Sequence, residues 1–286
     1  MKKNVFYYLC AALFSMTMFA SCSDDDGEGG DPGAGSAAEQ VAGTYKAALD
    51  IMLNPGGQVA DGLIKQVVIA KSASSDNAVD MTLKDFRLNM GTAEISLGNL
   101  SIENCALAAT SVEGEYSFTA SVVKSLDVFA TGEPINCTIT IEGGTVGNDR
   151  LAMNLGVALE GMPMTVDVAC EGTKLSGTES SAASVTSFSL SGDVEAAEAS
   201  INETEKTITV YVSDALADKD LAAVTPEVEV SEGATLSVAS PLDLSKGSAT
   251  LSVTSEDGSV TNVYTVTVSK VIPFDVLAGT YVCDWI

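Results

Sequence analysis

Six cysteines, 39 carboxylate side chains and no histidine define the chemistry open to this chain of 286 residues. Without an imidazole, neither a Ser-His-Asp nor a Cys-His nucleophile can be assembled, and no metal site can use a histidine ligand. Carboxylates are so abundant that some pair must fall at glycosidase distance, yet no spacing selects one pair from the 39. Asp24 to Gly27 and Asp218-Lys219-Asp220 lack the spacing and terminal Glu of a calcium loop, so they read as solvated charge. The glycines from Gly27 to Gly35 follow no strand and open no helix, which argues against a phosphate loop. Aromatic content is 6% with a single Trp, Trp285, so sugar-stacking rings are scarce. Tyr211 points outward by strand parity and is a candidate contact. These observations imply a protein that is not an enzyme and uses neither metal nor cofactor.

The thiols are the remaining reactive groups. Cys10 and Cys22 fall in the first 22 residues, leaving Cys105, Cys137, Cys170 and Cys283. Four cysteines allow three pairings, and an exported chain can oxidise them. Cys137 and Cys170 lie on inward faces of nearby strands, where a free thiol serves as a small hydrophobe, and the expectation is that they stay unpaired. Cys283 sits in the last segment and is the candidate for reactivity.

Residues 1–22 explain the position of Cys22. A basic start (Lys2, Lys3) is followed by an apolar run from Val5 to Ala20 and then by Phe19-Ala20-Ser21-Cys22. The run is shorter than the roughly 20 residues a spanning helix needs, so it reads as an export leader that is cut. A Cys directly after small residues resembles the lipobox of bacterial lipoproteins, although Phe19 stands where that motif usually has Leu. The resemblance implies a signal peptide over 1–21, cleavage before Cys22, and acylation of its thiol. Ser23-Asp24-Asp25-Asp26 and the Gly-rich stretch to Ser36 have no apolar periodicity, so 22–40 reads as a tether. The acidic triplet resembles the signal that sends some Gram-negative lipoproteins to the outer face of the outer membrane; a solvated linker is the other reading. The localisation expected is a lipid-anchored protein of the outer membrane at the cell surface, its membrane contact made by acyl chains at about 0.8 kcal/mol per buried methylene.

Charge narrows the partners. With 14 Lys+Arg against 39 Asp+Glu the formal charge is -25, and -27 once Lys2 and Lys3 leave with the leader. Such a surface repels a phosphate backbone and an anionic bilayer, which excludes nucleic acid as a partner and leaves the lipid as the membrane contact. Hydrophobic residues at 46% and charged ones at 19% are ample for packed cores.

From Val41 to Leu175 apolar residues alternate in short runs, the period-two signal of half-buried strands. Tyr45, Ala47, Leu49, Ile51 and Leu53 share one face, as do Val79, Met81 and Leu83, and Tyr116, Phe118, Ala120 and Val122. Ile135 to Ile141, Leu151 to Val157 and Met164 to Cys170 repeat it, with further strands around Leu63 to Ala70 and Ile95 to Ile102. Turns are expected at Asn54-Pro55-Gly56-Gly57 and Glu142-Gly143-Gly144. About eight antiparallel strands with one apolar face each suit a closed barrel. Gly43-Thr44-Tyr45-Lys46, Leu83-Lys84-Asp85-Phe86, and Gly161-Met162 before Met164-Thr165-Val166-Asp167-Val168 with Glu171-Gly172 resemble the calycin-like (lipocalin-like) β-barrel domain of bacterial surface lipoproteins. That resemblance implies an eight-stranded antiparallel barrel over 41–177 and, since calycin relatives often hold small apolar ligands, a carrier as one functional reading.

Gly177 to Ala183 reads as a Ser/Ala-rich linker. Beyond it, Phe188 and Leu190, Ile208, Val210 and Val212, Val228 and Val230, Leu236 and Val238, Leu251 and Val253, and Tyr264, Val266 and Val268 give six or seven short strands, the pattern of an antiparallel sandwich. Val253 to Gly258 leading into Tyr264-Thr265-Val266-Thr267-Val268 resembles the closing hairpin of Ig-like and cadherin-like modules, with Thr207 to Val210 and Leu221 to Pro226 as preceding strands. The all-β reading is therefore a barrel plus an Ig-like β-sandwich over 184–270. In the tail, 271–286, Ala278-Gly279-Thr280-Tyr281 repeats Ala42-Gly43-Thr44-Tyr45. Either a second barrel is truncated there, or a lone strand pairs with an existing edge, or small residues recur by chance. The function expected is non-catalytic binding or adhesion at the cell surface, of a carbohydrate or a partner protein through loops on β-scaffolds; the alternative is a carrier of a small apolar ligand in the barrel.

Overall fold

The computed structural model describes residues 35–271, apart from 90–93, 129–132, 192–195, 215 and 217. The leader, Cys22, most of the tether, and the tail with Cys283, Trp285 and the second Ala-Gly-Thr-Tyr lie outside the described residues.

Alternating side chains become strands because successive residues of an extended chain face opposite sides. In the first half these are β1 (Gly43–Asn54), β2 (Gly57–Lys71), β3 (Ala78–Asn89), β4 (Glu94–Ala106), the two-residue β5 (Ala108–Ala109), β6 (Glu115–Leu126), β7 (Ile135–Gly147), β8 (Arg150–Leu159) and β9 (Thr165–Lys174). They form one antiparallel sheet in the order β4-β3-β2-β1-β9-β8-β7-β6-β5. Curling brings β4 against β6, where Ser96 N donates to Val128 O at 2.9 Å and Lys124 Nζ lies 3.8 Å from Glu103 Oε1. Among the described residues no ladder joins those two strands, so the barrel is nearly closed, with a seam. The inward residues Ala120 and Val122 of β6 are only half-buried for that reason.

Two features depart from the sequence reading. First, residues 37–40 of the expected tether and Val41, the first residue of the expected barrel, form a short helix, α1 (Ala37–Val41), held by a capping box between Ser36 and Glu39. Ala38 and Val41 join the barrel core, Tyr45 Oη donates to Val41 O at 2.7 Å, and Lys71 pairs with Glu39 (2.9 Å) and Asp76 (2.7 Å) to hold α1 at the barrel end where β1 begins. Second, Glu142-Gly143-Gly144 is not a turn but lies within β7, at a bulge between Ile141 and Gly143. A Cβ on Gly144 would overlap the Phe118 ring of β6, so that glycine seats an aromatic ring, not a chain reversal.

The second half contributes β10 (Val185–Ser191), β11 (Ala196–Asn202), β12 (Thr207–Ser213), β13 (Thr225–Val230), β14 (Thr235–Val238), β15 (Ser248–Thr254) and β16 (Thr261–Val271). β10 pairs with β13, and the other five form a sheet in the order β11-β12-β16-β15-β14. The sandwich is not wholly antiparallel: β12 and β16 run parallel, because the chain makes its intervening strands before β16 returns beside β12. Leu221, expected in a strand, ends a 3-10 turn at Asp218–Leu221, and the strand begins at Thr225. Two separate apolar clusters result, one from Ala38 to Cys170 and one from Ala183 to Val266.

The stretch between them is braced. Glu179 accepts from Ser176 N (2.9 Å), Ser176 Oγ (2.8 Å) and Gly177 N (2.9 Å), while Ser180 N donates to Glu256 Oε2 (2.9 Å) and Asp257 N to Ser180 O (3.2 Å).

Candidate functional site

The first question for function is whether the barrel is hollow. A chamber wide enough for water would leave its lining accessible, but Tyr45, Ala47, Leu49, Ile51, Val67, Val79, Phe86, Cys137 and Ile139 are each 0% exposed. These side chains come from β1, β2, β3 and β7 and meet in one cluster with residues of β8 and β9, so the interior is a packed core. This packing does not favour the alternative reading, a carrier of a small apolar ligand in the barrel. Interior Ala47, Met81 and Met153 lie in the same buried cluster as Tyr45 and Phe86; which side chains share a cluster is set by strand order and cannot be read from parity.

The outward residues of the same strands make a different surface. Strand register places Glu171 of β9 between Ala48 of β1 and Ala152 of β8, Ala169 between Asp50 and Asn154, and Asp167 between Met52 and Gly156. Small side chains alternate with polar ones and leave a trough over β1, β9, β8 and β7. Its middle section, about 400 Å³, shares Ala152 and Glu171 with a section of about 340 Å³ toward Arg150 and Thr173, and Asn154 and Ala169 with one of about 470 Å³ toward Thr140 and Glu142. Asn154, Asp167, Glu171 and Arg150 are exposed. Their planar amide, carboxylate and guanidinium groups offer paired donors and acceptors above a floor of Ala and Gly. The sequence reading missed this surface because it followed the inward parity; the outward parity of the same strands was the available signal.

On the sandwich, Tyr211 lies on the outer side of the five-stranded sheet, half-buried, opposite Ser269 of β16. Thr209 and Thr267 share that side, their hydroxyls 3.5 Å apart. On the inner side Tyr264 is fully buried, and its hydroxyl accepts from Val185 N (3.2 Å) and Lys206 Nζ (3.3 Å) and donates to Glu203 Oε2 (2.8 Å). The Lys206 ammonium also sits 5.2 Å from the centre of that ring. This network ties β10 to β16 and has a structural role.

Cys105, Cys137 and Cys170 are free, buried thiols. Burial, reinforced by Asp80 beside Cys105 and Glu171 beside Cys170, pushes their titration up to about 11 and about 12 respectively, and burial alone raises Cys137. None is poised as a nucleophile. Among the described residues, the carboxylates with displaced titration are displaced downward. Lys71 lowers Glu39, Ser176 lowers Glu179 to about 2, and Ser245 lowers Asp243. Burial opposes the shift at Glu203 and Asp257 but is outweighed, by Lys206 and Tyr264 in one case and by Ser255 and Ser259 in the other. Such groups are anchors; a general acid needs the opposite displacement. Among the described residues no three Cys, Asp or Glu side chains converge as a metal site, and no helix is long and apolar enough to cross a membrane.

With this geometry in view, residues 41–173 match the family model of the calycin-like beta-barrel domain, and residues 185–268 match that of the SGBP N-terminal domain. Both are binding domains of non-catalytic type. Among solved structures, a Bacteroides fragilis protein provisionally assigned to the outer membrane is similar at 23% identity, over 50% of this chain and 54% of that one, with a TM-score of 0.39. The alignment therefore spans about half of that protein. No curated protein matches the chain.

Proposed function

We propose that this chain is a lipid-anchored, non-catalytic module of the outer cell surface, tethered through acylated Cys22, that binds carbohydrate along the trough over β1, β9, β8 and β7. The observation that carries the reading is the match of residues 185–268 to a domain of SGBPs, surface glycan-binding proteins. The export leader ending at Cys22 and the acidic tether after it support the address. The trough supports the ligand class, since alternating Asn154, Asp167 and Glu171 can exchange hydrogen bonds with ring hydroxyls. Each such bond contributes about 0.5–1.5 kcal/mol net, so several sugar units must be engaged for useful affinity.

Two experiments test this. Cys22→Ser in cells fed a labelled fatty acid should lose the label; undiminished label would refute the anchor. The chain from Ser23 onward, titrated with neutral and acidic oligosaccharides, should bind at least one of them, and Ala152→Trp, which fills the trough from an exposed position, should abolish binding to the neutral ones. Glycan binding that survives Ala152→Trp would remove the trough from the reading, and turnover of any oligosaccharide would overturn its non-catalytic character.

A further inference from the structure

One cleft does not belong to either face described so far. It lies where the β15–β16 turn meets the outer side of β2 and β3, holds about 210 Å³, and is lined by Ile64, Lys65, Gln66, Lys84, Asp85, Gly258, Ser259 and Thr261. The turn is pinned there: Gln66, almost fully buried, donates through Nε2 to Asp257 O at 3.0 Å. Gly258 (φ +72°) approaches so closely that a Cβ would stand 3.1 Å from Ile64 Cγ2 and 3.3 Å from Lys46 Cγ. One wall thus comes from the barrel and the other from the sandwich.

Charge is what singles the cleft out. On a chain of net charge -25, its lining holds two ammonium groups, Lys65 and Lys84, against one carboxylate, Asp85. Asp85 is already engaged, by Arg87 Nε at 2.6 Å and by Lys65 Nζ at 3.9 Å, and Lys65 also donates to Asp85 O at 2.8 Å. Lys84 has only a long hydrogen bond to Gln66 Oε1, 3.4 Å, and pairs with no carboxylate among the described residues. An uncompensated cation at the edge of a partly enclosed cleft is arranged to receive a compact anionic group; the Ser259 hydroxyl already donates to the Asp257 carboxylate (2.7 and 2.8 Å) and the Gln66 amide oxygen accepts from Lys84, so the ammonium is the group that would meet it. Long-range repulsion from the acidic surface works against any anion, so the gain comes at close range, where a carboxylate or sulfate meets the Lys84 ammonium.

We propose that the junction cleft binds the anionic group, carboxylate or sulfate, of an acidic sugar unit, with Lys84 as its charge partner. The inference rests on the carbohydrate reading and names the class of sugar: a uronate or sulfated glycan in preference to a neutral one. At close range the ammonium holds the unit in the cleft, and the rest of the chain can follow the outer surface of the barrel.

The test uses the chain from Ser23 onward, titrated with tetragalacturonate, with a neutral xylotetraose, and with inorganic sulfate alone, at low and at 0.5 M salt. Tetragalacturonate should bind more tightly than xylotetraose and weaken with salt. Lys84→Gln, at an exposed position that leaves the fold intact, should weaken tetragalacturonate binding about tenfold while leaving xylotetraose unchanged. Ser259→Tyr, which fills the cleft, should do the same, and unchanged thermal unfolding would show that each variant is folded. Equal affinity of Lys84→Gln and the parent for tetragalacturonate would overturn the proposal even if glycans bind. If no glycan binds but sulfate perturbs Gly258 to Thr261 in the parent and not in Lys84→Gln, the carbohydrate reading falls and the anion site stands. If neither sulfate nor tetragalacturonate binds, this inference falls and neutral glycan binding is judged on its own.

Discussion

Ala47→Phe separates a packed barrel from a hollow one. Ala47 is 0% exposed in the middle of β1, paired with Lys65 of β2 and with Gly172 of β9, and a Cβ on Gly172 would already stand 3.3 Å from its methyl group. A phenyl ring adds six carbons to a site with no water-sized space. Overpacking costs about 1–3 kcal/mol even for smaller insertions. Taking about 3 kcal/mol, the barrel's unfolding midpoint should fall by about 10 °C, given roughly 3–4 °C per kcal/mol for a domain of this size. Ala120→Phe is the internal control: Ala120 faces inward from β6 but is half-buried at the seam, so the same ring can lie toward solvent and should cost less than about 1 kcal/mol. Calorimetry of the chain from Ser23 onward reads both variants, and titration with a fluorescent fatty acid runs beside it. Ala47→Phe with an unchanged midpoint, coupled to loss of saturable fatty-acid binding by the parent protein, would refute the packed core and restore the carrier.

Other consequences follow from single groups. Tyr264→Phe keeps the ring but leaves Val185 N–H buried without its acceptor, and should destabilise the sandwich by about 1–3 kcal/mol, read from its midpoint in urea. The Glu203 carboxylate in that network titrates below its ordinary value, so its contribution is present above the unfolded-state pKa and is lost as pH falls through the folded one; Glu203→Gln should flatten the acid limb of the sandwich's stability below about pH 4.5. Gly144→Ala should destabilise the barrel by about 1–3 kcal/mol, since its methyl meets Phe118; Gly143→Ala, with open space around it, should not. Cys105, Cys137 and Cys170 should resist iodoacetamide at pH 8 in the native protein and react together on unfolding; fast labelling of Cys170 in the native state would contradict its burial. Expressed apart, 35–177 and 178–271 should each unfold cooperatively, because their apolar clusters share no residue; two segments that fold only together would refute that.

What the sequence determined by itself is whatever depends on local order along the chain. Alternation at Tyr45 to Leu53, Leu151 to Val157 and Ile208 to Val212 sufficed to assign strands and their buried faces, because a strand's two faces are set by parity alone. The missing histidine removed whole classes of catalysis without reference to any fold. Tertiary structure decided everything that depends on which strand lies beside which. Gly143-Gly144 read as a turn because glycine permits both a reversal and a close approach, and only the Phe118 ring of β6 distinguishes them. Ala37 to Gln40 read as tether because a five-residue helix, Ala37 to Val41, carries too little pattern to register as one, until Tyr45 and Lys71 are seen to hold it. The trough needs β1, β9 and β8 side by side, though Ala48 and Ala152 are more than a hundred residues apart in the chain. The junction cleft needs more: Lys84 lies in β3 and Ser259 in the β15–β16 turn, and nothing in the local sequence of either distinguishes a solvated lysine or a turn serine from two walls of one site. Parity is a property of one strand, whereas a binding surface is a property of several, and the contacts that bring them together are non-local.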